Sequence, residues 1–422
     1  MKVCYKNCRM INDQNLLVTK DLVIENGIII EKQTAYDKII NMNGALVTPG
    51  LVDLHVHLRE PGQTEKEDML SGTQAAANGG FTEIYTMPNV SPVPDTLKRY
   101  QAIQKIIKEK ACVKVAQIAP ITQDIKSTSL VDIQNFPTHL FSNDGKGVQN
   151  AQTMYQAMQQ IALKDGICIA HTEDESLSQN GVMHLGKQSE KLNLPGFSEL
   201  SETTQIARDL ILAQKTACHY HVCHLSSKTS LELIKLAKKQ GIKVSSEVTP
   251  HHLLLSEMDV TLDSNYKMNP PLRSEADRKA LLEGLLNGDI ECIASDHAPH
   301  TQKEKSKGFK AAPFGIIGLD FVFPLLYTKL VRTEKMPLNI LVERLTQGPR
   351  KILGKSLELK PGAIADLAFF DLETEFILTE DYIQSKSKNT PFLNEKLYGQ
   401  CIHCVVDGKV VMDKGGQSWS AY

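Results

Sequence analysis

Between about residues 49 and 354, short apolar runs alternate with helical patterns eight times along the chain. The runs lie at 51–57, 81–88, 113–120, 139–144, 166–173, 219–226, 243–249 and 290–296. Segments with apolar positions three or four apart separate most of them, at 67–77, 97–110, 151–164, 201–217, 229–239 and 276–286. Several of these close on glycine or asparagine, as helices do. Eight such units over roughly 300 residues predict an α/β fold, a (β/α)8 TIM-like barrel spanning 49–354. An open doubly wound sheet is the alternative, but no Gly-x-Gly-x-x-Gly turn follows the first strand.

The flanks have a different rhythm. Residues 1–48 carry short alternating runs such as 21–31, with Gly27 at a turn. Residues 355–422 do the same at 365–371 and 402–412, where Asp407-Gly408 is a hairpin turn signal. Neither fragment can bury a face alone. They are therefore expected to pair into one small composite β-domain, 1–48 with 355–422, beside the barrel. The charged stretch 301–310 is expected to be a mobile loop after the eighth strand that closes over a substrate.

Composition narrows the function. Forty-seven basic residues against forty-nine acidic give a net charge of −2 with no basic block, which argues against nucleic-acid binding by phosphate neutralisation. The N-terminus lacks a signal-like apolar run and no stretch reaches membrane-spanning length, so a cytoplasmic enzyme without a membrane partner is expected. Nine scattered cysteines do not make a disulfide framework. Cys401-Ile-His-Cys404 has no second pair and sits in an alternating run, so it reads as packed thiols rather than a zinc site.

The chemistry gathers at strand ends. In the first run, alternation puts His55, His57 and Arg59 on one face, two imidazoles that can share a metal ion beside a guanidinium that can grip an anion. Asp144 ends the fourth run, His171 the fifth, His224 the sixth and Asp296 the eighth, where barrel active sites lie. On strand six His219, His221 and His224 compete; His224 is nearest the strand end and is chosen, leaving His219 and His221 outward or behind the ligands. Two histidines, a carboxylate from strand eight and a bridging carboxylate would hold one divalent ion, and the same bridge with His171 and His224 a second. Such nitrogen and oxygen donors suit Zn2+, with Mn2+ or Co2+ as substitutes. A pair of ions would acidify water and polarise a carbonyl. Asp296 would take the proton and pass it to a departing nitrogen.

Several motifs then converge. His55-Val-His-Leu-Arg-Glu-Pro-Gly62, Met87-Pro-Asn89, Thr249-Pro-His-His252, Lys267-Met-Asn-Pro-Pro-Leu-Arg273, Ser295-Asp-His-Ala-Pro-His300 and Pro313-Phe-Gly315 together closely resemble class I bacterial dihydroorotases of the amidohydrolase superfamily. The resemblance covers nearly the whole chain, and the Asn-Pro-Pro-Leu-Arg and Asp-His-Ala-Pro-His segments are its most specific parts. It implies a (β/α)8 barrel with a composite β-domain and the reversible cyclisation of N-carbamoyl-L-aspartate to L-dihydroorotate in pyrimidine synthesis. It also implies two zinc ions per subunit, one on His55, His57, Asp144 and Asp296, the other on Asp144, His171 and His224. By the same resemblance Asp296 is the general acid/base. Arg59, Asn89 and His300, with His57 beside them, contact the substrate carboxylate; Asn269 and the backbone at Phe314 and Gly315 contact the ring amide and carbonyl. Arginine can bind a carboxylate through two charged hydrogen bonds, and an asparagine amide both donates and accepts. His251, His252 and His297 read as supporting residues.

One departure stands out. The family usually carries two aspartates at strand four, where this chain has Phe141-Ser-Asn-Asp144-Gly, so Asp144 must supply the bridge. Hydantoinases and allantoinases bridge with a carboxylated lysine there; Lys146 lies past the strand, after Gly145, and is discounted. Another cyclic amidase of that kind is the second enzyme reading. The third is a catalytically silent partner of a transcarbamoylase, which should have lost metal ligands. The partner expected is a small molecule, and the sequence is compatible with a homodimer.

Overall fold

The computed structural model describes residues 1–415 and the backbone of the short strand Ser418–Trp419. Residues 416–417 and 420–422, assigned from sequence to the β-domain, lie outside the described residues. The eight barrel strands are Leu51–Val56, Phe81–Thr86, Lys114–Gln117, Leu140–Ser142, Ile167–Ala170, His219–Val222, Val244–Val248 and Cys292–Ile293. All pair in parallel with their neighbours. The third strand resumes at Ala119–Pro120 to meet the fourth, and the Ile118 N–H between its two parts donates to the Thr86 carbonyl at 3.0 Å. Strand eight closes on strand one through a Val56–His297 bridge, where the His57 N–H donates to the His297 carbonyl at 2.9 Å.

Parallel strands covered by helices are buried on both faces, which is why runs such as Ile167–Ala170 are continuously apolar. The surrounding helices start on side-chain caps. Asp68, Thr96, Asn150, Ser227 and Ser274 each accept a backbone N–H from the first turn, worth about 1 kcal/mol apiece. The helix expected at 67–77 runs Met69–Gly79 because Asp68 is its cap, and Gly80 ends it at φ 88°. Inside the barrel, Val52, Leu54, Tyr85, Met87, Ile118, Leu140, Ile167, Ile169, Cys223 and Cys292 form one buried cluster. This apolar plug floors the site above it. Cutting Ile169 to alanine would cost about 2–5 kcal/mol.

Chain ends share one nine-stranded sheet. Strand Leu367–Asp371 runs antiparallel to Leu46–Pro49 and joins the C-terminal strands to the N-terminal ones. Tyr5, Leu22, Ile24, Val47, Leu367, Phe369 and Val405 pack into a core that neither end could form alone. The hairpin at Asp407-Gly408 forms as expected, both residues at positive φ (48° and 75°), with Val406 paired to Lys409. All nine cysteines are buried and unpaired, Cys401 and Cys404 among them.

Two segments differ from expectation. Residues 376–397 leave the sheet, and Leu378, Ile383, Phe392 and Leu397 pack with Leu272, Phe309, Ile316 and Phe321 over the barrel. Residues 301–310 are mostly exposed but anchored at two buried positions, Lys305 and Phe309. Thr301 caps the short helix Gln302–Lys305, and Phe309 is buried. The Lys305 ammonium is buried too, donating to the carbonyls of Pro313 at 3.2 Å and Gly315 at 2.9 Å. Backbone carbonyls have taken the place of water around that charge. Among the described residues no helix is long and apolar enough to cross a membrane.

Candidate metal centre and active site

Asp144 follows the fourth barrel strand and lies among four imidazoles. Its Oδ1 is 3.2 Å from His55 Nε2, 3.7 Å from His171 Nδ1 and 3.9 Å from His224 Nε2, while Oδ2 is 3.5 Å from His57 Nε2. Asp296 completes the set, its Oδ1 3.3 Å from His57 Nε2 and 3.5 Å from His55 Nε2. All six residues expected as ligands are buried and brought together. His55, Asp144 and His224 form one cluster of converging donor atoms, and His55, His57 and Asp296 another.

A test of fit comes from the atoms left over. His55 Nε2 and Asp144 Oδ1 are buried, close, and without a hydrogen-bond partner. His171 Nδ1 and His224 Nε2 lie within hydrogen-bond distance of each other at 2.9 Å, and His224 Nδ1 is buried without a partner. Buried nitrogen and oxygen atoms gathered this closely suit a cation. The electrostatics of the cluster point the same way. Burial alone would raise Asp144, yet His55, His57 and His171 hold it well below the usual carboxylate range. Burial, with His171 and His55 nearby, pushes His224 down to about 3, a neutral imidazole. Burial opposes charge on His55 as well, but the anions around it, led by Asp144, raise it well above the ordinary value. Those carboxylates are asking for a positive charge at this spot.

Local backbone explains how the ligands reach the site. Strand alternation puts His219 and His221 together and His224 opposite. His224, however, sits beyond the strand at φ 34°, and this left-handed turn brings its ring back to the mouth. Asp296 (φ 46°) and Arg59 (φ 57°) use the same uncommon conformation, of a kind that clusters at functional sites. Of the two placements expected for His221, outward or behind the ligands, it takes the second: it is buried, its Nε2 3.1 Å from Glu247 Oε2 and its Nδ1 2.9 Å from Ser245 Oγ. Asn143 turns away from the candidate ligands, accepting from the Ile121 and Thr122 N–H groups, both at 3.0 Å.

Above the donors is a cavity of about 210 Å³ lined by His57, Arg59, Asn89, Asp144, His171, His224, Asn269, Asp296, His300, Phe314 and Gly315. Every site residue expected from sequence lines it except His55, which lies beneath. Asn89 is already committed: its Oδ1 accepts from His57 Nδ1 at 2.8 Å, and its Nδ2 donates to Asp144 Oδ2 at 3.2 Å. Gly145 permits this approach, since a Cβ there would stand 3.0 Å from Asn89 Nδ2. Arg59 Nε donates to the Pro299 carbonyl at 3.2 Å. His300 Nε2 donates to the Phe314 carbonyl at 2.8 Å, and the Gly315 N–H to the Lys267 carbonyl at 3.0 Å. Gly315, at φ 124°, has no room for a side chain, because a Cβ would meet the Ala298 methyl at 2.7 Å.

Two carboxylates went unnoticed in the sequence. Glu247, on strand seven, is 2.8 Å from His55 Nδ1. Glu173 is 3.1 Å from His171 Nε2 and accepts from Asn269 Nδ2 at 2.7 Å. Each lies in phase with a polar partner two residues earlier, Ser245 or His171, and that was the available signal. His297 and His252 are buried supports: His297 Nε2 is 3.3 Å from Glu67, and His252 Nδ1 is 2.7 Å from Thr249 Oγ1.

Known proteins resemble this chain. A family model described as dihydro-orotase-like matches residues 44–230. The dihydroorotase of Lactobacillus delbrueckii subsp. bulgaricus is 49% identical over 408 residues, covering 94% of this chain and 96% of its own. Those of Lactobacillus acidophilus and of a Geobacillus strain are 47% and 46% identical, each covering 98% of this chain and 100% of its own. Among solved structures, L-hydantoinase (dihydropyrimidinase) from Arthrobacter aurescens superposes with a TM-score of 0.86 at 24% identity, over 98% of this chain and 96% of that one. That likeness shows the fold, a barrel with its β-domain. Identity near one half across almost the full length, with the donor cluster intact, shows that the chain belongs to the dihydroorotase family.

Proposed function

We propose that this chain catalyses the reversible cyclisation of N-carbamoyl-L-aspartate to L-dihydroorotate plus water, a cytoplasmic step of de novo pyrimidine biosynthesis. We further propose that it works with two zinc ions per subunit, replaceable by Mn2+ or Co2+. The observation that carries this reading is Asp144 amid four imidazoles, beneath a cavity that also holds a guanidinium and two amides. His55, His57, Asp144 and Asp296 would hold one ion, and Asp144, His171 and His224 the other. When bound, the ions supply the positive charge that acidifies water and polarises the scissile carbonyl.

The chain's own groups do the rest. Asp296 accepts the proton of the attacking water and delivers it to the departing ring nitrogen. Arg59, buried at the cavity wall with Nη2 3.4 Å from His300 Nε2, offers its guanidinium to the substrate carboxylate. Asn89 orients His57 and Asp144 besides facing the cavity. His300 and Lys267 already occupy the Phe314 carbonyl and the Gly315 N–H, so the Phe314 N–H is the donor this pair offers a ring carbonyl. The carboxylated-lysine alternative finds no support, because Lys146 is exposed and does not line the cavity.

The test follows ring opening of L-dihydroorotate by purified protein, with metal content measured on the same sample. Turnover with bound divalent metal is expected. Protein that opens hydantoin or allantoin while leaving dihydroorotate intact would overturn the reading, and so would protein lacking any divalent ion.

A further inference from the structure

Glu173 lies two residues past His171 and serves two partners with one oxygen. His171 Nε2 is 3.1 Å from its Oε2, and Asn269 Nδ2 donates to that same oxygen at 2.7 Å. A carboxylate accepts hydrogen bonds and donates none. The Asn269 amide must therefore turn its NH2 toward Glu173, whichever way the terminal atoms are drawn. Its Oδ1 is left for the cavity that Asn269 lines.

We propose that Glu173 is a positioning residue that locks Asn269 as a hydrogen-bond acceptor, so that the site selects cyclic amides presenting a ring N–H at this point. The proposal deepens the dihydroorotase reading and rests on it. By the same bond Glu173 takes the Nε2–H of His171, which turns Nδ1 toward Asp144, 3.7 Å away. One carboxylate thus ties the tautomer of a ligand histidine to the polarity of the amide that reads the substrate. Asparagine free to rotate would meet an N–H or a carbonyl equally well. Glu173 removes that freedom.

A purely architectural role fits less well. The backbone at this residue is held without the side chain: the Glu173 N–H donates to Gln205 Oε1 at 3.1 Å, and its carbonyl accepts from Gln149 Nε2 at 2.8 Å. The side chain is 17% exposed, beside the cavity rather than in the core. Glu173→Gln is nearly isosteric, yet its amide can either accept from Asn269 or donate to it, so both orientations of Asn269 become available.

The experiment compares wild type, Glu173→Gln, Asn269→Ala and the double variant on L-dihydroorotate and on analogues methylated at each ring nitrogen in turn. Metal content is checked for each protein. Wild type is expected to prefer the parent over one of the analogues by about 100-fold or more in kcat/KM, as sites built around a specific hydrogen bond do. Glu173→Gln should cut that preference about tenfold with metal retained. The effect of Glu173→Gln on the preference should vanish in the Asn269→Ala background. Turnover of the parent by wild type with undiminished preference in Glu173→Gln overturns this proposal alone, as does an additive double variant. Wild type that leaves dihydroorotate intact removes the functional reading and the proposal with it.

Discussion

Glu247 accepts the Nδ1–H of His55 at 2.8 Å, and both side chains are fully buried. The bond sets the His55 tautomer, leaving Nε2 toward Asp144 and Asp296. The other Glu247 oxygen is 3.1 Å from His221 Nε2, so one carboxylate spans strands one, six and seven beneath the candidate metal site. Burial would raise Glu247, but hydrogen bonds from His221 and His55 hold it down to about 2, ionised and acceptor-only. A glutamine offers one acceptor oxygen and cannot serve both imidazoles. Glu247→Gln is therefore expected to weaken metal affinity about 10–100-fold. Competition against a chelator reads it directly, and unchanged affinity would remove the orienting role.

Asp296 is asked to do two things, and two substitutions separate them. Asp296→Asn keeps an oxygen near His57 and His55 but cannot take up a proton. It should retain metal while kcat falls about 10²–10⁴-fold, the usual worth of a general acid/base. Asp296→Ala removes the ligand oxygen as well and should lose both metal and turnover. Steady-state rates and metal content on the same samples decide it. Most of the activity surviving in Asp296→Asn would assign the proton transfer elsewhere.

Much of this site was legible in the chain, for definite reasons. Two-residue alternation paired His55 with His57, and the run of eight units placed Asp144, His171 and Asp296 at strand ends. His224 was found by position, although alternation alone points it the wrong way; the left-handed turn that redirects it has no signature in a non-glycine residue. Glu247, in a strand, and Glu173, just past one, carry little sequence signal because a lone acidic residue looks solvated until its buried partners are known. Asn89 lines the cavity as a substrate contact would, and its amide also binds His57 and Asp144, which only the structure shows. The segment 376–397 carries no strong period, and only tertiary contacts show Asn389 bonding to the Ala298 and Gly315 carbonyls at 3.1 and 3.0 Å.

Arg59 tests the binding half of the reaction. It lines the cavity and is anchored on the Pro299 carbonyl, so in the proposed reaction its charge would act on the substrate's carboxylate rather than on the bond that breaks. Losing a charged hydrogen-bonding pair of about 1.5–3 kcal/mol should raise KM for dihydroorotate about 10–100-fold in Arg59→Met. The value of kcat should move far less. An unchanged KM would dismiss the carboxylate clamp.

The last prediction concerns the seam between barrel and β-sheet. Lys114, on the third barrel strand, contacts Asp366 and Asp407 of the C-terminal segment, both at 2.6 Å. Burial works against its ammonium, but hydrogen bonds to the two aspartates raise its pKa above the ordinary 10.5. A lysine whose pKa is higher folded than unfolded stabilises the fold fully below the unfolded value. That stabilisation fades as pH climbs through the folded one. Lys114→Met should therefore lower the free energy of unfolding by about 2 kcal/mol near neutrality, between the worth of exposed and of fully buried pairs. Denaturant titrations of both proteins from pH 7 upward should show the gap holding to about pH 10 and then closing. A gap that stays constant past that range would mean Lys114 acts through its apolar stem instead of its charge.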